Sequence, residues 1–181
     1  MKTLEEIDAM LCSSVREIAA IAEQMNFVTN FEFVLTDEKL KDKKSDLQYP
    51  GIYLIEVKNT NEFAEFEQWV ENFRKEYEHE DYKKKSVPNI KLKRLTHHKE
   101  MQEWIPVYLG KSKCIGNRFH EHLFLGLNSP TFALKLFARP YFHNHIFRLS
   151  TINIGVSSYD QIMPIVETTL RNKINPIIGR Q

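Results

Sequence analysis

Two stretches decide how this chain is built: "GIYLIEV" at residues 51–57 and "WIPVYLGKSKCIGNRFHEHLF" at residues 104–124. The first is an apolar, β-type run of strand length, bounded by Pro50 and Asn59. The second opens on a similar run, "IPVYLG" (105–110), passes Lys111 and Lys113, and enters "NRFHEHLFL". Ile115, Phe119 and Leu123 fall four apart there, which predicts a helix packing that stripe on a sheet. Arg118 and His122 are also four apart and stack on a neighbouring face, while helical phase turns His120 nearly the opposite way. Strand alternation places Tyr53 on one face with Gly51 and Ile55, and Tyr108 on one face with Gly110. Two tyrosines, each beside a glycine, can then face one groove across paired strands.

Outward from this centre, Leu4, Ile7, Leu11, Val15, Ile18, Ile21 and Met25 recur at helical spacing, so residues 3–26 read as an amphipathic helix. "FEFVL" reads as a short strand and "TDEKLKDKKSDLQYP" as a polar loop. Phe63, Phe66, Val70, Phe73 and Tyr77 mark a second helix with an N-cap near Thr60 or Asn61. "DYKKKSVPN" breaks it, and "IKLKRL" alternates like a strand. "SPTFALKLFA" suggests a short helix stopped by Arg139-Pro140, and "NHIFRLSTINI" a further strand region. Ser157 or Ser158 caps a last helix through about Lys173, with Pro164 near its start or at a kink.

The 181 residues suit one elaborated domain with a real core, and 42% apolar with 27% charged residues is ordinary globular composition. Cys12 and Cys114 form no CxxC, no leader is expected, and no apolar run spans a membrane; a cytoplasmic protein without membrane partners is expected. The net charge of +1 hides an asymmetry. Residues 61–81 carry eight acidic side chains against two basic, and residues 82–99 carry seven basic and none acidic. Residues 111–181 carry nine basic against three acidic. A basic face for a polyanion and mutual pairing of the segments explain this equally well.

The pattern resembles the GIY-YIG nuclease family. "GIY" stands at Gly51-Ile52-Tyr53, "YLG" at Tyr108-Leu109-Gly110, the arginine followed four residues later by histidine at Arg118 and His122, and the late-helix glutamate at Glu167 in "PIVETTLRNKINP". The resemblance covers roughly 51–57 and 105–179. It implies an α+β fold: a small domain (50–181) around a central three-stranded antiparallel sheet flanked by helices, with an N-terminal helical extension (1–49) and a long insert (58–103). It also implies phosphodiester hydrolysis with Mg²⁺ or Mn²⁺ bound by Glu167. Arg118 would neutralise phosphoryl charge, Tyr53 would act as base or water-positioner, and Tyr108 and His122 would assist. Lys111 or Lys113 would supply a field favouring the phenolate.

Two departures stand out. The tyrosine signatures are separated by residues 54–107, far more than the family's usual short hairpin, and the family's C-terminal asparagine falls at Gly179, with Asn175 and Gln181 nearby as candidates to replace it. In the insert, Lys83, Lys84, Lys85, Lys91, Lys93 and Arg94 are candidate DNA contacts. Without the resemblance, the tyrosines read as half-buried strand residues, Arg118 and His122 as a solvated helix face, and Glu167 as a surface carboxylate. His143 and His145 share a strand face but lack a third metal ligand, which favours a structural role. Three functions follow: a sequence-specific, restriction-type DNA endonuclease, with DNA and a second copy of the chain as expected partners; a structure-specific repair or recombination nuclease; or a non-cleaving DNA-binding module. The first is the leading expectation, because the usual accessory modules of repair nucleases are not evident in the sequence.

Overall fold

The computed structural model describes residues 2–60, 62–82 and 86–179. Asn61, the candidate DNA contacts Lys83, Lys84 and Lys85, and Gln181 lie outside the described residues. The architecture is α+β. Strand β2 (Gly51–Lys58) runs antiparallel between β4 (Trp104–Ser112) and β5 (Phe147–Asn153). All of Gly51–Val57 is buried, which explains why "GIYLIEV" shows no polar alternation: the sheet is covered on both faces. Ile52 and Leu54 join Leu109 under the last helix, α5 (Tyr159–Ile174), through Met163, Val166 and Leu170. Tyr53, Ile55 and Val57 face the opposite cluster, with Ile115, Phe119 and Leu123 of α4 (Ile115–Phe124). The one charged residue in the β2 run, Glu56, accepts two bonds from Arg148 on β5 at 2.8 and 2.9 Å, and Arg148 stacks on Trp104 at 4.4 Å. A buried carboxylate is thereby satisfied.

The sheet has six strands rather than the expected three. β1 (Val28–Phe33) pairs with β5 at one edge, and β3 (Asn89–Ile90) and β6 (Ile178–Gly179) extend the other, in the order β1-β5-β2-β4-β6-β3. β6 lies parallel to β4, so the sheet is mixed. Two-residue strands are too short to leave a periodic trace in sequence. Pro106 sits within β4, where a proline cannot donate to the ladder, and the β2–β4 register shifts between Ile55 and Glu56 at that point.

Other elements also depart from expectation. "IKLKRL" is not one strand: after Ile90 the chain turns into α3 (Leu92–Leu95), because its partner β6 is only two residues long. α2 (Phe66–Tyr77) begins after Glu65 rather than near Thr60, and buries Phe66, Trp69, Val70, Phe73 and Tyr77. The polar segment 38–47 is a 3-10 helix with Leu40 and Leu47 buried. "SPTFALKLFA" forms only a 3-10 turn at Leu136–Ala138, after Lys135 adopts a left-handed conformation (φ 58) and donates its buried ammonium to the Leu127 and Ser129 carbonyls. His143 and His145 lie in and just after a 3-10 turn (Pro140–Asn144), not on a strand; His143 Nε2 meets the Phe137 carbonyl at 2.7 Å.

α1 (Leu4–Gln24) starts at a capping box between Thr3 and Glu6. Its stripe is used only in part: Ala22 is buried with Ile18 and Met25 packing against the α5 cluster, while Leu4, Ile7, Leu11 and Val15 remain exposed. Among the described residues no helix is long and apolar enough to cross a membrane.

Candidate active site

The paired strands bring the two tyrosines together. Tyr53 lies opposite Gly110 and Ile55 opposite Tyr108, so the rings stack with centroids 6.1 Å apart. A Cβ on Gly110 would come within 2.5 Å of the Tyr53 hydroxyl; glycine is what lets that oxygen lie over β4. α4 then supplies His122, fully buried, with its ring centroid 4.5 Å from that of Tyr108. His122 Nδ1 accepts the Leu134 backbone N–H at 3.1 Å, and Nε2 lies 2.8 Å from the Tyr53 oxygen. Since Nδ1 must be the acceptor, a neutral ring carries its proton on Nε2 and donates it to Tyr53. Burial, then the charge of Arg118, holds the His122 pKa well below its ordinary value, so neutral is the resting state. His120 points away, against Phe124, with Lys44 and Lys41 close enough to lower its pKa further after burial.

Arg118 is anchored on both sides. It donates to Glu121 at 2.5 Å and to the Phe132 carbonyl, and it also reaches the Tyr53 phenol. Burial opposes its charge, but Tyr53, Glu121 and Tyr108 together raise its pKa above the usual guanidinium value. The Tyr53 phenol goes the same way for a different reason: burial and then Tyr108 push it well above 10, against the pull of Arg118. Tyr53 therefore rests as the neutral phenol. Its oxygen accepts from His122, which leaves its own proton to be donated elsewhere.

Tyr53, Tyr108, Gly110 and Arg118 line a cavity of about 560 Å³ together with Leu109, Lys111, Phe132, Glu167, Arg171 and Gly179, and His122 stands behind Tyr53. Glu167 comes from α5 and pairs with Arg171 one turn on. The lining holds Arg118, Arg171 and Lys111 against this single carboxylate, so the cavity has an excess of positive charge suited to an anion. Among the described residues no group of three or more His, Cys, Asp or Glu could cage a metal. The donor set still fits Mg²⁺, which keeps most of its waters and takes one or two carboxylates beside substrate phosphates.

Comparison of the chain with protein-family models, curated proteins and solved structures finds no match, so the functional argument rests on these residues themselves.

Six of the candidate residues converge: Tyr53, Tyr108, Lys111, Arg118 and Glu167 at the cavity, and His122 behind Tyr53. Lys113 does not; its ammonium pairs with Asp160 at 2.8 Å and lies outside the cavity lining. Asn175 does not either. It caps α5 in the left-handed conformation (φ 53), and its side chain donates to the Asn172 carbonyl at 3.0 Å. Arg171 and Phe132 were missed. The spacing of Arg171 from Glu167 on a helix is a usable signal, whereas Phe132 acts through a loop carbonyl that no periodicity reveals. Of the insert cations, Lys93 is exposed and Lys91 partly so, and no ion pair among the described residues joins either to α2.

Proposed function

We propose that this chain is a divalent-metal-dependent endonuclease that hydrolyses DNA phosphodiester bonds, in a sequence-specific, restriction-type manner. The observation that carries the reading is the convergence of Tyr53, Tyr108, Arg118 and Glu167, from four separate elements, onto one cationic cavity, with His122 bonded behind Tyr53. That is the set the resemblance to GIY-YIG nucleases implies. Packing alone does not call for three cations and one carboxylate along the wall of one cavity.

Glu167 would hold Mg²⁺ or Mn²⁺, which when bound polarises phosphoryl oxygen and acidifies water. The chain's own residues do the rest. Arg118, fixed by Glu121 and Phe132, presents a pre-oriented cation to the charge that develops on the phosphoryl oxygens. Tyr53 is held by the proton on His122 Nε2 and offers its own O–H to a water or phosphoryl oxygen, which favours positioning over proton abstraction. His122 acts through Tyr53 as a positioning residue. Lys111 adds charge at the cavity wall, with its ammonium 5.8 Å from the Tyr159 ring.

The test is incubation of purified protein with plasmid and genomic DNA in Mg²⁺, followed by sequencing of the ends. Discrete ends at one recognition sequence, lost in Glu167→Ala with DNA binding retained, are expected. Undiminished cleavage by Glu167→Ala would refute the metal assignment, and no cleavage by folded wild type on any DNA would refute the reading.

A further inference from the structure

The insert between β2 and β4 is laced to the C-terminal tail. β3 pairs with β6 through Asn89↔Gly179 and Ile90↔Ile178. Lys91 N–H donates to the Ile177 carbonyl at 2.8 Å, the Arg94 guanidinium donates to the Pro176 carbonyl at 3.3 Å, and His98 Nε2 lies 2.8 Å from the Asn175 carbonyl. Five contacts to five consecutive residues carry α3 towards the wall of the cavity that Gly179 lines. A Cβ on residue 179 would lie 2.7 Å from Nη1 of Arg94. The guanidinium thus fills the space that any side chain at 179 would need.

We propose that Arg94 is a phosphate-binding residue of the catalytic cavity, delivered by the insert, which acts with Arg171 on a substrate phosphodiester and requires Gly179 to make room. The proposal rests on the nuclease reading and names how the substrate backbone is held. Two features support it besides the geometry. Arg171 is near enough to disfavour the charge on Arg94: burial first, then Arg171, holds the Arg94 pKa below the usual guanidinium value. A bound phosphodiester relieves that repulsion, and guanidinium matches phosphate through paired donors. The cavity lining holds three cations, Lys111, Arg118 and Arg171, against one carboxylate, Glu167, which is paired with Arg171.

The experiment measures DNA binding of the full chain to a short duplex from low to moderate salt without divalent cation, and KM and kcat for plasmid cleavage in Mg²⁺. The variants are Arg94→Ala, Arg94→Gln and Gly179→Ala. Arg94→Gln can still donate to the Pro176 carbonyl, which protects the fold if Arg94→Ala unfolds. Each lost phosphate contact should flatten the slope of log affinity against log salt by about 0.9. KM should rise more than kcat falls. Gly179→Ala should reproduce this loss by displacing the guanidinium, and the Arg94→Gln/Gly179→Ala double variant should be no worse than either single. Wild-type cleavage with an unchanged slope and KM in folded Arg94→Gln overturns the inference alone, as does independent addition of the two effects. Folded wild type that neither binds nor cuts DNA overturns the nuclease reading, and this inference with it.

Discussion

Two arginine–glutamate pairs stand on the two helices that frame the cavity, and they are oriented differently. On α4, Arg118 lines the cavity while its partner Glu121, three residues on, lies outside the lining and is partly exposed. On α5, Glu167 and Arg171 both line it, with the glutamate's side chain only 17% exposed. Similar local chemistry thus produces different equipment. An arginine tied from behind is a fixed cation whose charge remains available to a substrate. Under the proposed function, a carboxylate paired inside the cavity would be the ligand that exchanges its arginine for a metal. The lesson is that an ion pair's role follows from which partner faces the cavity.

The comparison breaks most sharply at the carboxylates. Glu167→Gln should reduce cleavage by more than about 10³, since metal polarisation is worth several kcal/mol. Glu121→Gln should cost less than about tenfold, because the partly exposed pair only steadies Arg118. Single-turnover rates in Mg²⁺ decide it; equal losses would mean that orientation towards the cavity does not set the role.

The arginines give the next largest contrast. Arg118→Ala should lower kcat by about 10²–10³, by analogy with removing one oxyanion donor, and Arg118→Lys should recover little because a point charge cannot bridge Glu121, Phe132 and Tyr53 together. Arg171→Ala should chiefly weaken DNA binding. A kcat loss from Arg171→Ala matching that of Arg118→Ala would erase the distinction.

His122 and His120 sharpen the contrast between the inner and outer faces of α4. His122→Gln should lower kcat through Tyr53, and Tyr53→Phe should mimic it without further loss in the double variant. His120→Ala should be near neutral for cleavage. A crippling His120→Ala beside a silent His122→Ala would show that the helix acts from its other face.

The smallest expected effect is on stability and has a definite sign. Burial depresses the folded His122 pKa, whereas the unfolded imidazole titrates near 6.5. Between those values the unfolded chain binds the extra proton, so this contribution is intact above about pH 6.5 and is lost as pH falls. The slope is at most about 1.4 kcal/mol per pH unit for one proton, levelling off below the folded pKa. Urea melts at pH 7.5 and 5.5 should show a smaller pH loss in His122→Gln than in wild type. An equal loss would place the pH sensitivity elsewhere.

What the sequence determined by itself was local and periodic. Helical phase separated Arg118 and His122 from His120, and strand alternation set Tyr53 and Tyr108 toward one groove, because side-chain direction repeats every 3.6 or 2 residues whatever the partner. The long strands, α1, α4 and α5 were legible for that reason. The third dimension decided whatever depends on a partner. β3 and β6 pair because two distant segments meet, and "IKLKRL" yielded its strand pattern to α3 after Ile90. The exposed half of α1's apolar stripe lies beyond α5's reach, which no periodicity announces. Lys113 looked equivalent to Lys111, yet Asp160, some fifty positions away, draws it out of the cavity. Arg94 and Gly179 come together only because the insert folds back on the tail. Spacing along the chain encodes direction; proximity between distant segments is set by packing, and the charge around Glu167 is a product of that packing.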